Sequence, residues 1–108
     1  MQPQISIVVP LYNEEAVLPL LISRLNALML AEPHTIEVVL INDGSADATP
    51  AMIQQLALTD ERYTAVSFSR NFGHAAAITA GLQHARGTQY LMIIDGDLQD
   101  PPNCSPSF

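Results

Sequence analysis

Asp95 and Asp97 stand two residues apart, and Gln99 continues the same alternation. In an extended segment the three side chains project to one side. Two carboxylates held that close repel each other strongly, and a divalent cation relieves the repulsion. The amide oxygen of Gln99 makes the set all-oxygen, which suits Mg²⁺ or Mn²⁺ with waters and substrate phosphates completing the shell. The competing reading is that Asp95-Gly96 simply makes a turn. An EF-hand loop is excluded, because Asp100 stands where its glycine is required and Pro106 where its closing Glu belongs.

Other polar groups carry two readings each. Asp43-Gly44-Ser45 is either a turn into a helix capped by Ser45 or Asp47, or a carboxylate placed to accept N–H groups from a nucleobase. Asn13-Glu14-Glu15 is either an N-cap followed by acidic residues that complement a helix dipole, or part of the same site. Arg70 follows a strand-like run, where it either approaches ligand phosphates or pairs with a neighbouring Asp. His74 has no Cys or His at ligand spacing and fits a surface position at a helix start, and His34 and His84 carry less signal still. No G-x-G-x-x-G follows the first strand-like run, and neither G-x-x-x-x-G-K-[ST] nor G-x-S-x-G occurs. Dinucleotide-linked redox, P-loop hydrolysis and serine esterase chemistry therefore lose support.

The charge balance narrows the partners. Eleven acidic residues face four basic ones, Arg24, Arg62, Arg70 and Arg86, for a formal charge of −7. Nucleic acid is excluded as a partner, since no basic stripe exists to neutralise phosphates, and an anionic lipid patch fails for the same reason. A nucleotide would be repelled unless a metal ion or backbone N–H groups supplied the positive charge. With one cysteine, Cys104, there is neither an internal disulfide nor a Cys-rich zinc site, which is compatible with a reducing cytoplasm. Met1-Gln2-Pro3-Gln4 has no basic and apolar leader pattern, so no signal peptide is expected. The apolar stretch from Ala16 to Ala31 is interrupted by Pro19, Ser23, Arg24 and Asn26, short of the ~20 apolar residues that a membrane span needs.

At 108 residues and 48% apolar content, the chain closes one core. Four β-type runs, 5–9, 36–41, 63–68 and 90–94, begin 31, 27 and 27 residues apart, close to the length of one βαβ unit. Three are nearly continuous apolar runs, as in parallel strands buried on both faces. Helical periodicity fills the gaps. Leu18, Leu21, Leu25 and Leu28 make one stripe, with Asn13 as the expected N-cap and Pro19 near the start. Thr49-Pro50 reads as a cap and first residue ahead of Ile53, Leu56 and Ala57. Ala75, Ile78, Leu82 and Ala85 make the third stripe, with Gly87 as its stop. The fold class is α/β, a mostly parallel sheet with flanking helices in the order βαβαβαβ, and ligands of such sheets sit outside the carboxyl ends of the strands.

Taken together, the strand-end motifs resemble the family 2 glycosyltransferases of the GT-A fold, a Rossmann-like nucleotide-diphospho-sugar transferase architecture. The matching strings are Val8-Val9-Pro10-Leu11-Tyr12-Asn13-Glu14-Glu15, Ile41-Asn42-Asp43-Gly44-Ser45, Arg70-Asn71-Phe72-Gly73 with Ala80-Gly81-Leu82, and Asp95-Gly96-Asp97-Leu98-Gln99-Asp100-Pro101-Pro102. They look most like the branch that includes dolichyl-phosphate mannosyltransferase and bacterial undecaprenyl-phosphate glycosyltransferases. The resemblance implies transfer of a sugar, with inversion, from a nucleotide diphosphate sugar donor to a polyprenyl phosphate acceptor. It places Pro10, Tyr12 and Glu14 at the nucleoside and Ile41 with Asp43 at the base. Asp95 and Gly96 fall at the ribose and diphosphate, and Asp95, Asp97 and Gln99 at the metal, with Asp95 and Asp97 carrying the catalytic role.

The same resemblance divides the chain into a nucleotide-sugar-binding part, 1–102, and an irregular tail, 103–108. Family members continue past the metal motif with further strands and an acceptor region, so the expectation is a truncated donor-binding half. Such a half would transfer sugar weakly or not at all, or serve as a non-catalytic nucleotide-sugar-binding module. An open edge at the fourth strand leaves room for pairing between chains. The expected location is the cytoplasm, with full-length relatives at the cytoplasmic face of the membrane.

Overall fold

The computed structural model describes residues 3–86 and 90–94. Gly87, the four site residues Asp95, Gly96, Asp97 and Gln99, and the tail 103–108 lie outside the described residues. The elements alternate as expected: β1 (Ile5–Leu11), α1 (Leu18–Ala31), β2 (Ile36–Asn42), α2 (Thr49–Thr59), β3 (Tyr63–Ser67), α3 (His74–His84) and β4 (Tyr90–Ile93). All three described strand pairings are parallel, and the order across the sheet is β3-β2-β1-β4.

Strand order and apolar pattern explain each other. β1 and β2 lie inside the sheet and are buried along their whole length. On one face Ile5, Ile7, Val9 and Leu11 join Val38, Leu40 and Tyr63 against Leu18, Leu21 and Leu25 of α1 and Ile53 of α2. On the other, Val8, Val39 and Ile41 pack on Ala77 of α3. Two helices cover one face and one covers the other, so the winding direction reverses between β1 and β4. In sheets of this kind the crevice at that reversal, outside the carboxyl ends, is where ligands bind. Pro10 sits on the same seam. Val8 accepts the N–H of Ile94 on the β4 side of β1, and Pro10, two residues on, points the same way with no N–H to offer. Pro10 can donate no rung there, and the described β1–β4 pairing runs from Ile5 to Val8.

Four expectations are corrected. Asn13 is not the cap of α1: the helix begins at Leu18 after Val17, with Pro19 in its first turn. Thr49 is the first helical residue of α2 rather than its cap, which is Ala48. In α3 the buried residues are Ala77 and Gly81, whereas Ala75 and Leu82 are exposed. The reason is close approach: a Cβ on Gly81 would collide with Cγ1 of Val8 and lie 3.2 Å from both its Cβ and its Cγ2. The helix therefore rests on its smallest side chains. Finally, β4 is the edge strand among the described residues, as expected, but its apolar run implies burial on both faces, whereas Tyr90, Leu91 and Ile93 are exposed.

Candidate functional site

The loops that leave β1, β2 and β3 meet at the carboxyl edge of the sheet and are joined to one another by side-chain-to-backbone hydrogen bonds. Asn13 adopts φ 52°, the left-handed region that Asn tolerates better than most residues. Its N–H donates to Ser45 Oγ at 2.9 Å, and its Oδ1 accepts the N–H of Ala46 at 2.8 Å. The Glu14 N–H donates to Thr49 Oγ1 at 3.0 Å and the Glu15 N–H to Asp47 Oδ2 at 3.2 Å. The other Asp47 oxygen accepts the Thr49 N–H at 2.9 Å, opening α2. Desolvation pushes the Asp47 carboxyl up, but the hydrogen bonds from Thr49 and Glu15 outweigh it and hold the group below the usual range. The Asn-Glu-Glu and Ser-Ala-Asp segments thus cap each other's backbone, and Asp47 serves its own helix as well.

A second joint links β2 to β3. The Asp43 side chain, 4% exposed, accepts the Phe72 N–H on Oδ1 at 2.7 Å and the Gly73 N–H on Oδ2 at 3.0 Å. Asn71 Nδ2 donates to the Asp43 carbonyl at 3.4 Å. Gly44, at φ +73°, lies so close to the next loop that a Cβ there would collide with the Arg70 carbonyl carbon and the Asn71 nitrogen and lie 2.7 Å from the Arg70 Cα. Both the conformation and the contact demand glycine. Asn42 completes the joint: its Oδ1 accepts the Ser45 N–H at 3.0 Å and its carbonyl the Phe68 N–H at 2.9 Å.

The expected site residues fall into three groups. Tyr12 is 48% exposed on the rim, and Glu14 is half-buried beside it. Pro10 and Ile41 are buried partners in the β1–β2 register, so their side chains shape the floor rather than project from it. Asp43 is buried, with both oxygens already accepting backbone N–H groups. Asp95, Gly96, Asp97 and Gln99 follow β4 outside the described residues. No cluster of three His, Cys, Asp or Glu able to hold a metal occurs among the described residues. The oxygen donor set of Asp95, Asp97 and Gln99 is chemically suited to Mg²⁺ or Mn²⁺.

Arg70 makes no ion pair among the described residues. Its guanidinium lies over the Phe72 ring, 4.6 Å from the centroid, and Phe72 in turn meets Phe68 edge-on at 5.5 Å. His74 begins α3 at the surface, as expected. Two roles escaped the sequence: the Asp43 joint and the Arg70–Phe72 stack. The only local sign of the second is an aromatic two residues after an Arg in a non-helical segment. Two concavities among the described residues are lined by Ile5, Leu28, Ile36, Tyr90 and Met92 and by Pro19, Ile22, Met52 and Gln55. No described helix is long and apolar enough to cross a membrane.

Known proteins resemble this chain in sequence and in fold. A glycosyltransferase of Bacillus subtilis of uncharacterised activity, YkcC, is 46% identical over 99 residues, which is 92% of this chain and 30% of that protein. The bactoprenol glucosyl transferase of Shigella phage SfV is 44% identical over 103 residues, 95% of this chain and 33% of its own length. The undecaprenyl-phosphate 4-deoxy-4-formamido-L-arabinose transferase of Pseudomonas fluorescens is 41% identical, covering 94% of this chain and 30% of that one. The chain thus spans about a third of the length of these relatives. Among solved structures, the mannosyltransferase PcManGT of Pyrobaculum calidifontis, in complex with GDP-Man and Mn²⁺, superposes with a TM-score of 0.68 at 27% identity over 94% of this chain and 34% of its own. The fold is therefore that of the GT-A glycosyltransferases. The family model for glycosyl transferase family 2 matches residues 6–108, and the chain belongs to that family.

Proposed function

We propose that residues 1–102 form the donor-binding part of a metal-dependent, inverting glycosyltransferase that moves a sugar from a nucleotide diphosphate sugar to a polyprenyl phosphate. The observation that supports this most directly is the rim itself: three strand-end loops fixed to one another at the winding reversal, with Tyr12 offering a stacking face. Pro10, Tyr12 and Glu14 serve the nucleoside, Ile41 and Asp43 shape the base end, and Asp95 with Gly96 addresses the ribose and diphosphate. Asp95, Asp97 and Gln99 hold Mg²⁺ or Mn²⁺, which when bound neutralises charge on the departing nucleoside diphosphate. A lipid phosphate is already anionic at neutral pH, so the acceptor needs no strong general base. Relatives named for bactoprenol and undecaprenyl phosphate support the acceptor class. Action on such an acceptor fits the cytoplasmic face of a membrane.

Calorimetry with UDP- and GDP-sugars, with and without Mn²⁺, tests the donor assignment. The parent chain is expected to bind one of them in a metal-dependent way, and Asp97→Ala to lose most of that dependence. No binding by the parent, or equal binding by Asp97→Ala, would reject it. For these 108 residues we expect binding without transfer, and labelled sugar appearing on polyprenyl phosphate would contradict that expectation.

A further inference from the structure

We infer that Asp43 is a positioning residue for Arg70, and that Arg70 is the cation these loops present to the phosphates of a bound nucleoside diphosphate. The inference rests on the donor-site proposal above and adds a residue to it. The Asp43 carboxylate is buried and takes the N–H groups of Phe72 and Gly73, one on each oxygen. That fixes the backbone of Phe72, its ring is braced by Phe68, and the Arg70 guanidinium is stacked on the ring. A ring face beneath a guanidinium orients it while leaving the N–H donors in the guanidinium's own plane free for an oxyanion.

The other cations are engaged or remote. Arg62 pairs with Asp60 at 2.6 Å and Arg86 with Glu37 at 3.4 Å, while Arg24 lies on the exposed face of α1. On a chain of charge −7, an oriented Arg at the carboxyl edge offsets locally the repulsion that an anion meets. The joint explains why a carboxylate can sit beside that anion: its charge is turned inward, onto backbone N–H groups, and only its consequence reaches the rim.

The test measures the affinities of UDP, GDP, uridine and guanosine by calorimetry at constant Mg²⁺. Arg70→Gln is expected to weaken both diphosphates about tenfold, the scale of one hydrogen bond to a charged group, and the nucleosides less than about twofold. Arg70→Lys should recover part of the loss. Asp43→Asn keeps one acceptor but turns an NH₂ toward the second backbone N–H, and Phe72→Leu removes the ring without touching Asp43. Phe72→Leu should weaken the diphosphates selectively and add nothing to the loss in an Arg70→Gln background, and Asp43→Asn should weaken the diphosphates more than the nucleosides, with that excess absent in the same background. Amide exchange by NMR should show the Phe72 and Gly73 protons protected in the parent and faster in Asp43→Asn. The inference falls if Arg70→Gln binds diphosphates as well as a competent parent, if Asp43→Asn weakens uridine and UDP alike, or if those two amides are unprotected in the parent. A parent that binds neither diphosphate sinks the donor-site proposal itself, and the role of Arg70 with it.

Discussion

Glu37 is a carboxylate near the start of the fully buried strand β2, which is apolar from Val38 to Ile41, and its removal should reveal what it holds. It is 1% exposed and lies opposite Ser6 in the β1–β2 register. Ser6 Oγ donates to Oε2 at 2.6 Å, the Arg86 backbone N–H donates to the same oxygen, and Arg86 Nε reaches Oε1 at 3.4 Å. The Arg86 side chain itself is 57% exposed. The contacts are therefore unequal. The buried Ser6 hydroxyl and the part-buried Arg86 N–H both donate to Glu37, whereas the guanidinium has water as an alternative. Glu37→Ala removes this acceptor from both donors and leaves a void, partly offset by no longer burying a charge, so the expected cost is about 2–4 kcal/mol. Glu37→Gln retains an oxygen for both donors and loses only charge assistance, for a cost of about 1 kcal/mol. Arg86→Ala keeps the backbone N–H in place and removes a 3.4 Å contact whose cationic partner is mostly exposed, for less than about 1 kcal/mol. Urea unfolding followed by circular dichroism, compared at a common slope, gives the three values. If Arg86→Ala costs as much as Glu37→Ala, the ion pair matters and the anchoring of the chain between α3 and β4 does not. A cost under about 0.5 kcal/mol for Glu37→Ala would refute the whole account.

Two further outcomes follow from the packing. Gly81→Ala should lower the melting temperature even though Ala favours a helix by about 1 kcal/mol, because overpacking against Val8 costs about 1–3 kcal/mol; a stabilised variant would show that α3 does not rest on β1 there. Tyr63 is buried, donates its O–H to Asn26 Oδ1 at 2.7 Å, and burial pushes its phenol up to about 12 from an ordinary 10. The folded state prefers the neutral phenol, so this stabilisation is complete below pH 10 and is lost as pH rises from 10 to about 12. In unfolding curves taken across that window, Tyr63→Phe should lose less stability than the parent, and parallel curves would contradict the assignment.

What the sequence makes legible, and what it hides, divides along a physical line. Burial on both faces writes itself into composition, so β1 and β2 are plain as apolar runs and the parallel sheet follows from them. Exposure at an edge does not: the run at 90–94 is as apolar as an interior strand, yet Tyr90, Leu91 and Ile93 are exposed because nothing among the described residues lies beyond β4. The stripe on α3 misleads for a related reason. Periodicity marks the large residues, but contact with β1 selects Ala77 and Gly81, which carry almost no hydrophobic signal.

The rim is the harder case. Turn, cap and ligand were all reasonable assignments for Asn13, Ser45 and Asp43, since each residue type does all three locally. The partners they take are 28–33 residues away, at backbone atoms whose identity no side chain announces. Local preference therefore says where these residues can be, while the sheet order decides which loop is within reach. Because β3-β2-β1 are adjacent, their loops brace one another, and the polar residues of a binding edge double as its framework. A substitution at Asp43 then acts on Arg70 and Phe72 as well as on any ligand it touches. Its effect on binding has to be read through the geometry of its neighbours before it is assigned to a contact of its own.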